Sequence, residues 1–326
     1  MKAIGTMGFS ESVMSRRRFI GGAAAFGTAA FGAAGCASSR AAADADGSED
    51  AISVWQRETD LVRPEDYRRY LDDGKTRGFA TLEKLEAAFE KVVREAKAAK
   101  VGGVPAVWSV YNMGYVVKTR ESLFSVDLVH RRAAELAPML DFALITHNHA
   151  DHWRPEFYKA MNGAGKTVVS NFLDNYGAAD WRKSGDDWYA SGGYTRAAKE
   201  FRIKDVAIRT SLIDHNAYLV DFVTAFEIKV GDFVIYHTGD SGKGTEPKLR
   251  TTWGRPDLWL FFPGCGIDTA KAIAKVNAKK VAFGHAWELG HGAGRLNEEL
   301  IRPRLAEARN AGCDDVSLAF WGDRIV

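Results

Sequence analysis

The sequence predicts an α+β protein, a four-layer αβ/βα sandwich with a helical addition on its N-terminal side. Three observations predict it. Short apolar, β-branched runs recur through residues 101–326 and read as buried strands. Helical periodicity follows strand runs twice. Several strand-like runs end on a histidine or an aspartate, which places polar side chains along one sheet edge.

The first 36 residues read as a leader outside the fold. Ser15-Arg16-Arg17-Arg18-Phe19-Ile20-Gly21 resembles a twin-arginine export signal. The Ala/Gly/Phe stretch at 21–35 is too short and too rich in small residues for a membrane span. It closes at Ala33-Ala34-Gly35-Cys36, similar to a lipoprotein processing box with Cys36 as the lipidated residue. Ala33 stands where a larger aliphatic is usual, so cleavage near Ala37 is the alternative. Residues 37–50 hold no apolar side chain larger than Ala and read as a flexible tether. The expectation is export by the twin-arginine route to the periplasm or cell envelope, with membrane anchoring through Cys36.

Residues 51–326 then form a single domain, with 51–100 as the helical addition. Residues 55–70 read as a charged approach segment with aromatic anchors. Leu82, Leu85, Ala88, Phe89, Val92, Val93 and Ala96 recur at three- and four-residue steps and predict a helix over 81–100. Residues 104–117 and 121–129 read as two antiparallel strands joined at Lys118-Thr119-Arg120. Strands follow at 141–146 and 166–170, a hairpin over 220–230 and 232–236 turning at Gly231-Asp232, and strands at 258–262 and 280–284. Residues 268–278 and 298–311 are predicted helices. Residues 171–200 break the rhythm: Phe172, Tyr176, Trp181, Trp188, Tyr189 and Tyr194 sit among Gly, Asp and Lys. Such a segment reads either as a lid or as a local minicore. No internal repeat, heptad or phosphate-cradling Gly loop is visible.

Removing the leader lowers the basic residues from 44 to 40 and the acidic ones from 42 to 41, so the formal charge moves from +2 to −1. A near-neutral domain gives no support for nucleic-acid binding and offers no polybasic face for anionic lipid. Beside Cys36 only Cys265 and Cys313 remain, which excludes a disulfide framework and leaves at most one pair. Cys265, Gly-flanked after a strand, reads as a small residue in a tight turn, with a pocket-lining position as the alternative. Nothing in the composition fixes an oligomeric state.

The densest chemistry is His147-Asn148-His149-Ala150-Asp151-His152, directly after the strand at 141–146. On a loop these four ligand types fan out, which suits two metal ions better than one. Three further candidates share the same grammar: His215 after Ser211-Leu212-Ile213, Asp240 after Val234-Ile235-Tyr236, and His285 after Val281-Ala282-Phe283. Taken singly, each reads as a hydrogen-bonded structural residue at a strand end. Together they supply the number of ligands that a dinuclear hydrolytic site needs.

These pieces, H-x-H-x-D-H at 147–152, His215, T-G-D at 238–240 and G-H at 284–285, resemble the metallo-β-lactamase superfamily in order and spacing over about residues 101–326. The run Ile235-Tyr236-His237-Thr238-Gly239-Asp240-Ser241 is similar to the branch of ascorbate-phosphate lactonase-like and phospholipase D-like enzymes. The resemblance implies that His147, His149 and His215 hold one metal, that Asp151, His152 and His285 hold a second, and that Asp240 bridges both. It places Asp127 as an acid behind the ligands; an ordinary turn-capping Asp is the plain alternative. A carboxylate at 240, where some lactamases carry a thiolate, favours two similar, harder ions and lowers the expectation of antibiotic hydrolysis. His149 stands where the di-iron flavoprotein branch has an acid, which argues against that branch.

The implied activity is metal-assisted hydrolysis. Two divalent ions, zinc first with manganese or iron as alternatives, would lower the pKa of a shared water and polarise a carbonyl or phosphoryl oxygen. The substrate would be a small or lipid-like phosphodiester, lactone or related ester or amide. Asp151 would orient the hydroxide and accept its proton. His237 and His291 are the candidates for a general acid. His237 also reads as a strand residue pointing into the core. His291 shares a Gly-flanked loop with Trp287 and Glu288, a candidate pocket wall. The competing readings are a mononuclear iron oxygenase of the same fold and a non-catalytic metal-binding protein.

Overall fold

The computed structural model describes residues 50–170, 199–291 and 295–326, all within one compact unit, Glu49–Val326. The leader (1–36), residues 37–49 of the tether and nearly all of the aromatic insertion (171–198) lie outside the described residues.

Two sheets form the centre. The first has the order β1-β2-β3-β4-β5: β1 (Ala106–Tyr111), β2 (Gly114–Lys118), β3 (Leu123–Val126), β4 (Phe142–Leu144) and β5 (Thr167–Val169). The second, in chain order, holds β6 (Lys199–Ile203), β7 (Val206–Ile213), β8 (Val223–Val230), β9 (Phe233–His237), β10 (Leu258–Phe261), β11 (Lys280–Phe283) and β12 (Asp315–Leu318), paired consecutively. Each sheet begins as an antiparallel meander and continues with parallel strands. Most strand residues are buried on both faces, and one core cluster runs through both sheets. That explains the near-continuous apolar runs in the sequence.

The helices cover the outside. α3 (Ala80–Ala98) packs on β1 and β2 through Leu82, Leu85, Phe89, Val92 and Ala96, the predicted stripe. α4 (Pro155–Gly163) lies on β5, α5 (Thr269–Val276) packs against α6 (Glu298–Asn310), and α6 against β12. The Gly231-Asp232 hairpin forms as predicted.

One expectation needs correction. The stretch 104–117 is not one strand but the β1–β2 hairpin, turning at Asn112-Met113 with Asn112 in left-handed backbone (φ +52°). The apolar side chains run through the turn because Asn112 and Met113 are themselves buried, so hydropathy gives no break. Within the helical addition expected over 51–100, the approach segment at 55–70 lies on two helices, α1 (Ala51–Asp60) and α2 (Pro64–Asp73). Asp50 caps α1 by accepting from Ile52 N and Ser53 N, while Pro64 opens α2 and Gly74 closes it in left-handed backbone.

α1 has a positional consequence. Trp55 stacks on Trp287 at 5.5 Å, and Gln56 Oε1 accepts from Trp287 Nε1 (3.1 Å) and Glu298 N (2.8 Å). The helical addition therefore clamps the loop that follows β11.

His130, at the junction of α3 and the first sheet, gives the fold a pH dependence. Its ring stacks on Phe89 (4.2 Å), and its Nδ1 accepts from Arg132 N (3.1 Å). Tyr70 Oη donates to Glu86 (2.7 Å), so it accepts from His130 Nε2 (3.3 Å). This network fits only the neutral ring, and burial pushes its pKa down to about 3. The unfolded chain then binds a proton that the folded chain refuses between about pH 6.5 and 3. Stability is complete above that window and is lost as pH falls through it. Between pH 7 and pH 5, urea unfolding should show the parent losing about 1–2 kcal/mol more stability than His130→Gln. An equal drop in both proteins would overturn this assignment.

Candidate metal centre

Each candidate ligand follows a strand. The 147–152 loop leaves β4, His215 follows β7 by two residues, Asp240 follows β9 by three, and His285 follows β11 by two. The structure brings all seven together. His147, His149, His215 and Asp240 form one group, and Asp151, His152, Asp240 and His285 form another, with ligand atoms of each group within 4.8 Å of one another. Asp240 belongs to both. Its Oδ1 lies 3.0 Å from His152 Nε2, and its Oδ2 lies 3.5 Å from His285 Nε2 and 3.7 Å from His215 Nε2.

The donor set fits cations. His147 Nε2, His152 Nε2 and Asp240 Oδ1 are buried with no hydrogen-bond partner in the protein. Three orphaned polar atoms in one place are costly unless something binds them. Two aromatic rings wall the site. Phe222 meets the rings of His147, His149 and His215 at 5.2–6.1 Å, and Phe262 stacks on His285 at 4.4 Å.

The surrounding network sets which nitrogen of each ring faces inward. Asp127, fully buried, accepts from Thr146 N (2.7 Å), Thr146 Oγ1 (2.6 Å) and His152 Nδ1 (2.9 Å). Having donated its proton to Asp127, Thr146 Oγ1 accepts from His147 Nδ1 (3.0 Å). Both imidazoles therefore keep a proton on Nδ1, which leaves Nε2 as the nitrogen aimed at the site. His215 Nδ1 accepts from Asn216 Nδ2 (3.3 Å). Asp127 (φ +43°) and His285 (φ +60°) both sit in left-handed backbone that non-glycine residues rarely adopt. His285 N donates to Asn112 O (3.1 Å), so the β1–β2 turn fixes the second group.

Electrostatics reflect carboxylates packed among imidazoles. Burial disfavours a charged ring at His285, but Asp240 and Asp151 outweigh it and push the ring up to about 10. His152 is likewise raised against burial by Asp240, Asp151 and Asp127. Asp240 and Asp151 are lowered against burial, chiefly by His152. His147, His149 and His215 are lowered, first by burial. The centre is thus built to stabilise positive charge beside its two carboxylates.

Of the two general-acid candidates, His237 is placed away from this chemistry. It ends β9 fully buried, its Nε2 donates to Met113 O (3.0 Å), and its Nδ1 accepts from Gly239 N (3.2 Å). Both nitrogens are committed to backbone, and burial lowers its pKa, so it carries no proton for a substrate. His291 has a side chain 60% exposed and lines a cavity of about 200 Å³ together with His149, Asp151, His215, Asp240 and His285. Its Nδ1 donates to Glu288 Oε2 (2.7 Å). Glu288 is itself 1% exposed and accepts from Gly290 N (2.5 Å), His291 N (2.6 Å) and Tyr111 Oη (3.3 Å). Cys265 lines the same cavity as a free thiol pushed up to about 12 by burial and by Asp240 and Asp151; Cys313 is also free.

Sequence reasoning missed the residues that hold the His215 loop. Asp214 Oδ1 accepts from Asp221 N (2.8 Å) and Lys248 Nζ (2.5 Å), and Lys248 also pairs with Asp221 (2.6 Å). Gly242 N donates to Asp214 O (2.9 Å), and a Cβ at Gly242 would lie 1.7 Å from His215 O. The His-adjacent Asp214 was a signal; Lys248 and Gly242 carried none.

The two mixed sheets covered by helices carry, along one edge, two adjoining groups of side chains able to hold metal, and the fold is that of solved metal-dependent hydrolases. No family model matches the chain. The curated "UPF0173 metal-dependent hydrolase" of Caldivirga maquilingensis is 27% identical over 195 residues, which cover 53% of this chain and 82% of that protein. A metallo hydrolase from the archaeon Ignicoccus hospitalis shares the fold at a TM-score of 0.51 and 16% identity, covering 68% of this chain and 97% of its own. A possible metal-dependent hydrolase from Veillonella parvula does so at 0.50 and 12%, covering 69% and 99%.

Proposed function

We propose that this metal-dependent hydrolase works with two divalent cations, zinc first, bridged by Asp240, on a phosphodiester, lactone or related ester or amide. The carrying observation is the pair of ligand groups that share one carboxylate and face one another with orphaned buried atoms. When bound, the cations supply Lewis acidity and make hydroxide accessible near neutral pH. Asp151, hydrogen-bonded to His285 Nε2 at 2.9 Å, holds its ring and sits beside the reacting space. His291 projects into that space with Nδ1 fixed by Glu288, leaving Nε2–H to protonate a leaving group. The leader supports export by the twin-arginine route, in folded and metal-loaded form, with Cys36 as a membrane anchor. Small or lipid-like substrates of the cell envelope follow from that location.

The test is metal content of the leaderless protein, paired with hydrolysis of bis-p-nitrophenyl phosphate and of a simple lactone. About two metals per chain with turnover of either substrate is the expected result. One tightly held iron with no hydrolysis would sink the proposal.

A pH profile tests His291. The hydrogen bond to Glu288 and its charge raise the ring above its ordinary pKa. The acid form is required, so activity present at lower pH is lost as pH rises through that pKa. Glu288→Gln should move this alkaline limb to lower pH. His291→Gln should cost roughly 100-fold on a lactone or alkyl ester and under about tenfold on a p-nitrophenyl ester, whose leaving group needs no proton. Equal losses on both would remove His291 from the acid role.

A further inference from the structure

A second cavity, of about 410 Å³, opens beside the metal centre and shares His149, Asp151, Glu288 and His291 with the smaller one. Its size lies in the ~300–1,000 Å³ range of small-molecule sites. Its far wall comes from the helical addition: Tyr67 and Leu71 of α2, facing Tyr111 of β1 and Val129. Tyr67 and Tyr111 lie ring to ring at 5.7 Å, both almost fully buried, so this wall is rigid. Arg68 and Arg154 also line the cavity and disfavour a cationic group there.

We infer that this cavity selects the substrate: it takes an apolar acyl group on one side of the scissile bond, while the smaller cavity holds the reacting atoms. The inference rests on the hydrolase reading and adds the substrate class. The two cavities share His149, Asp151, Glu288 and His291, so a molecule reaching from one into the other passes Asp151 and His291. The mainly apolar lining stabilises an acyl chain by removing it from water, and each added methylene deepens that gain until the cavity is full. The helical addition is then the specificity element, and α2 supplies the residues that set chain length.

The experiment uses the metal-loaded protein and p-nitrophenyl acetate, hexanoate, octanoate and decanoate. The octanoyl-to-acetyl ratio of kcat/KM is expected to exceed about tenfold. Leu71→Trp fills the cavity and should bring that ratio near one, while Leu71→Ala should shift the optimum to a longer chain. Reading the ratio cancels a general loss of activity, and metal content checks that each variant folds. A flat series in the parent, or a ratio unchanged in Leu71→Trp, overturns the inference and leaves the hydrolase reading intact. If no ester turns over, calorimetry with octanoate against acetate decides. At least tenfold tighter octanoate binding, lost in Leu71→Trp, supports the cavity assignment, and equal binding overturns it.

Discussion

Asp240→Ala is expected to lower hydrolysis by at least ~10³-fold and to remove metal from both ligand groups, not one. The side chain is 6% exposed and reaches imidazoles of both groups within 3.0–3.7 Å. Without it, the centre keeps five histidines and a single carboxylate, Asp151. The two groups adjoin, with the rings of His147 and His152 4.0 Å apart. Two cations held that close depend on a shared anion to offset their repulsion, so losing the bridge destabilises both at once. His149→Ala makes the contrast. His149 is half-buried, belongs to the first group alone, and should weaken that group while the second keeps its metal. Metal-to-protein ratios after gel filtration separate the cases. An Asp240→Ala protein retaining about two metals would refute the bridging role.

The clustering of the candidate ligands was legible because strand and candidate are neighbours in sequence. β4, β7, β9 and β11 each end within three residues of the first ligand that follows, so local pattern carried tertiary meaning. The helical addition was half legible. α3 buries a regular stripe, whereas α2 holds Pro-Glu-Asp-Tyr-Arg-Arg-Tyr-Leu-Asp-Asp, and among its apolar side chains only Tyr67 and Tyr70 are fully buried, too sparse for a periodic signal. Its function was not legible at all, since Trp55 and Gln56 meet Trp287 across more than 200 residues. Lys248 reads as an ordinary surface lysine until the fold sets it between Asp214 and Asp221. Likewise Thr146 looks like the end of a strand. Its hydroxyl matters only because Asp127, on β3's trailing edge, arrives opposite it through the parallel pairing of β3 and β4.

That hydroxyl and carboxylate allow a sharp test. Asp127→Asn is nearly isosteric, so a packing role alone predicts little effect. The hydrogen-bond pattern predicts otherwise. Asp127 Oδ1 serves Thr146 N, and Oδ2 receives both Thr146 Oγ1–H and His152 Nδ1–H. In the amide, oxygen must face Thr146 N, which puts the NH₂ group where Oδ2 stood. Two donors then confront a donor. His152 escapes by moving its proton to Nε2, the atom that faces Asp240 at 3.0 Å, and so loses the lone pair that a metal needs. Affinity for the second metal should fall about 10–100-fold, and activity should follow it. Folding stability should drop by roughly 1–3 kcal/mol for the buried mismatch. Thr146→Val is the partner experiment. It leaves the bond from Asp127 to His152 and removes the acceptor of His147 Nδ1, so its larger effect should fall on the first metal. Competitive titration with a chelating indicator, run on both variants, reads the two affinities separately. Unchanged second-site affinity in Asp127→Asn would mean that the carboxylate does not set the tautomer of His152, and the control of metal loading would then lie in the positive-φ backbone at Asp127 and His285.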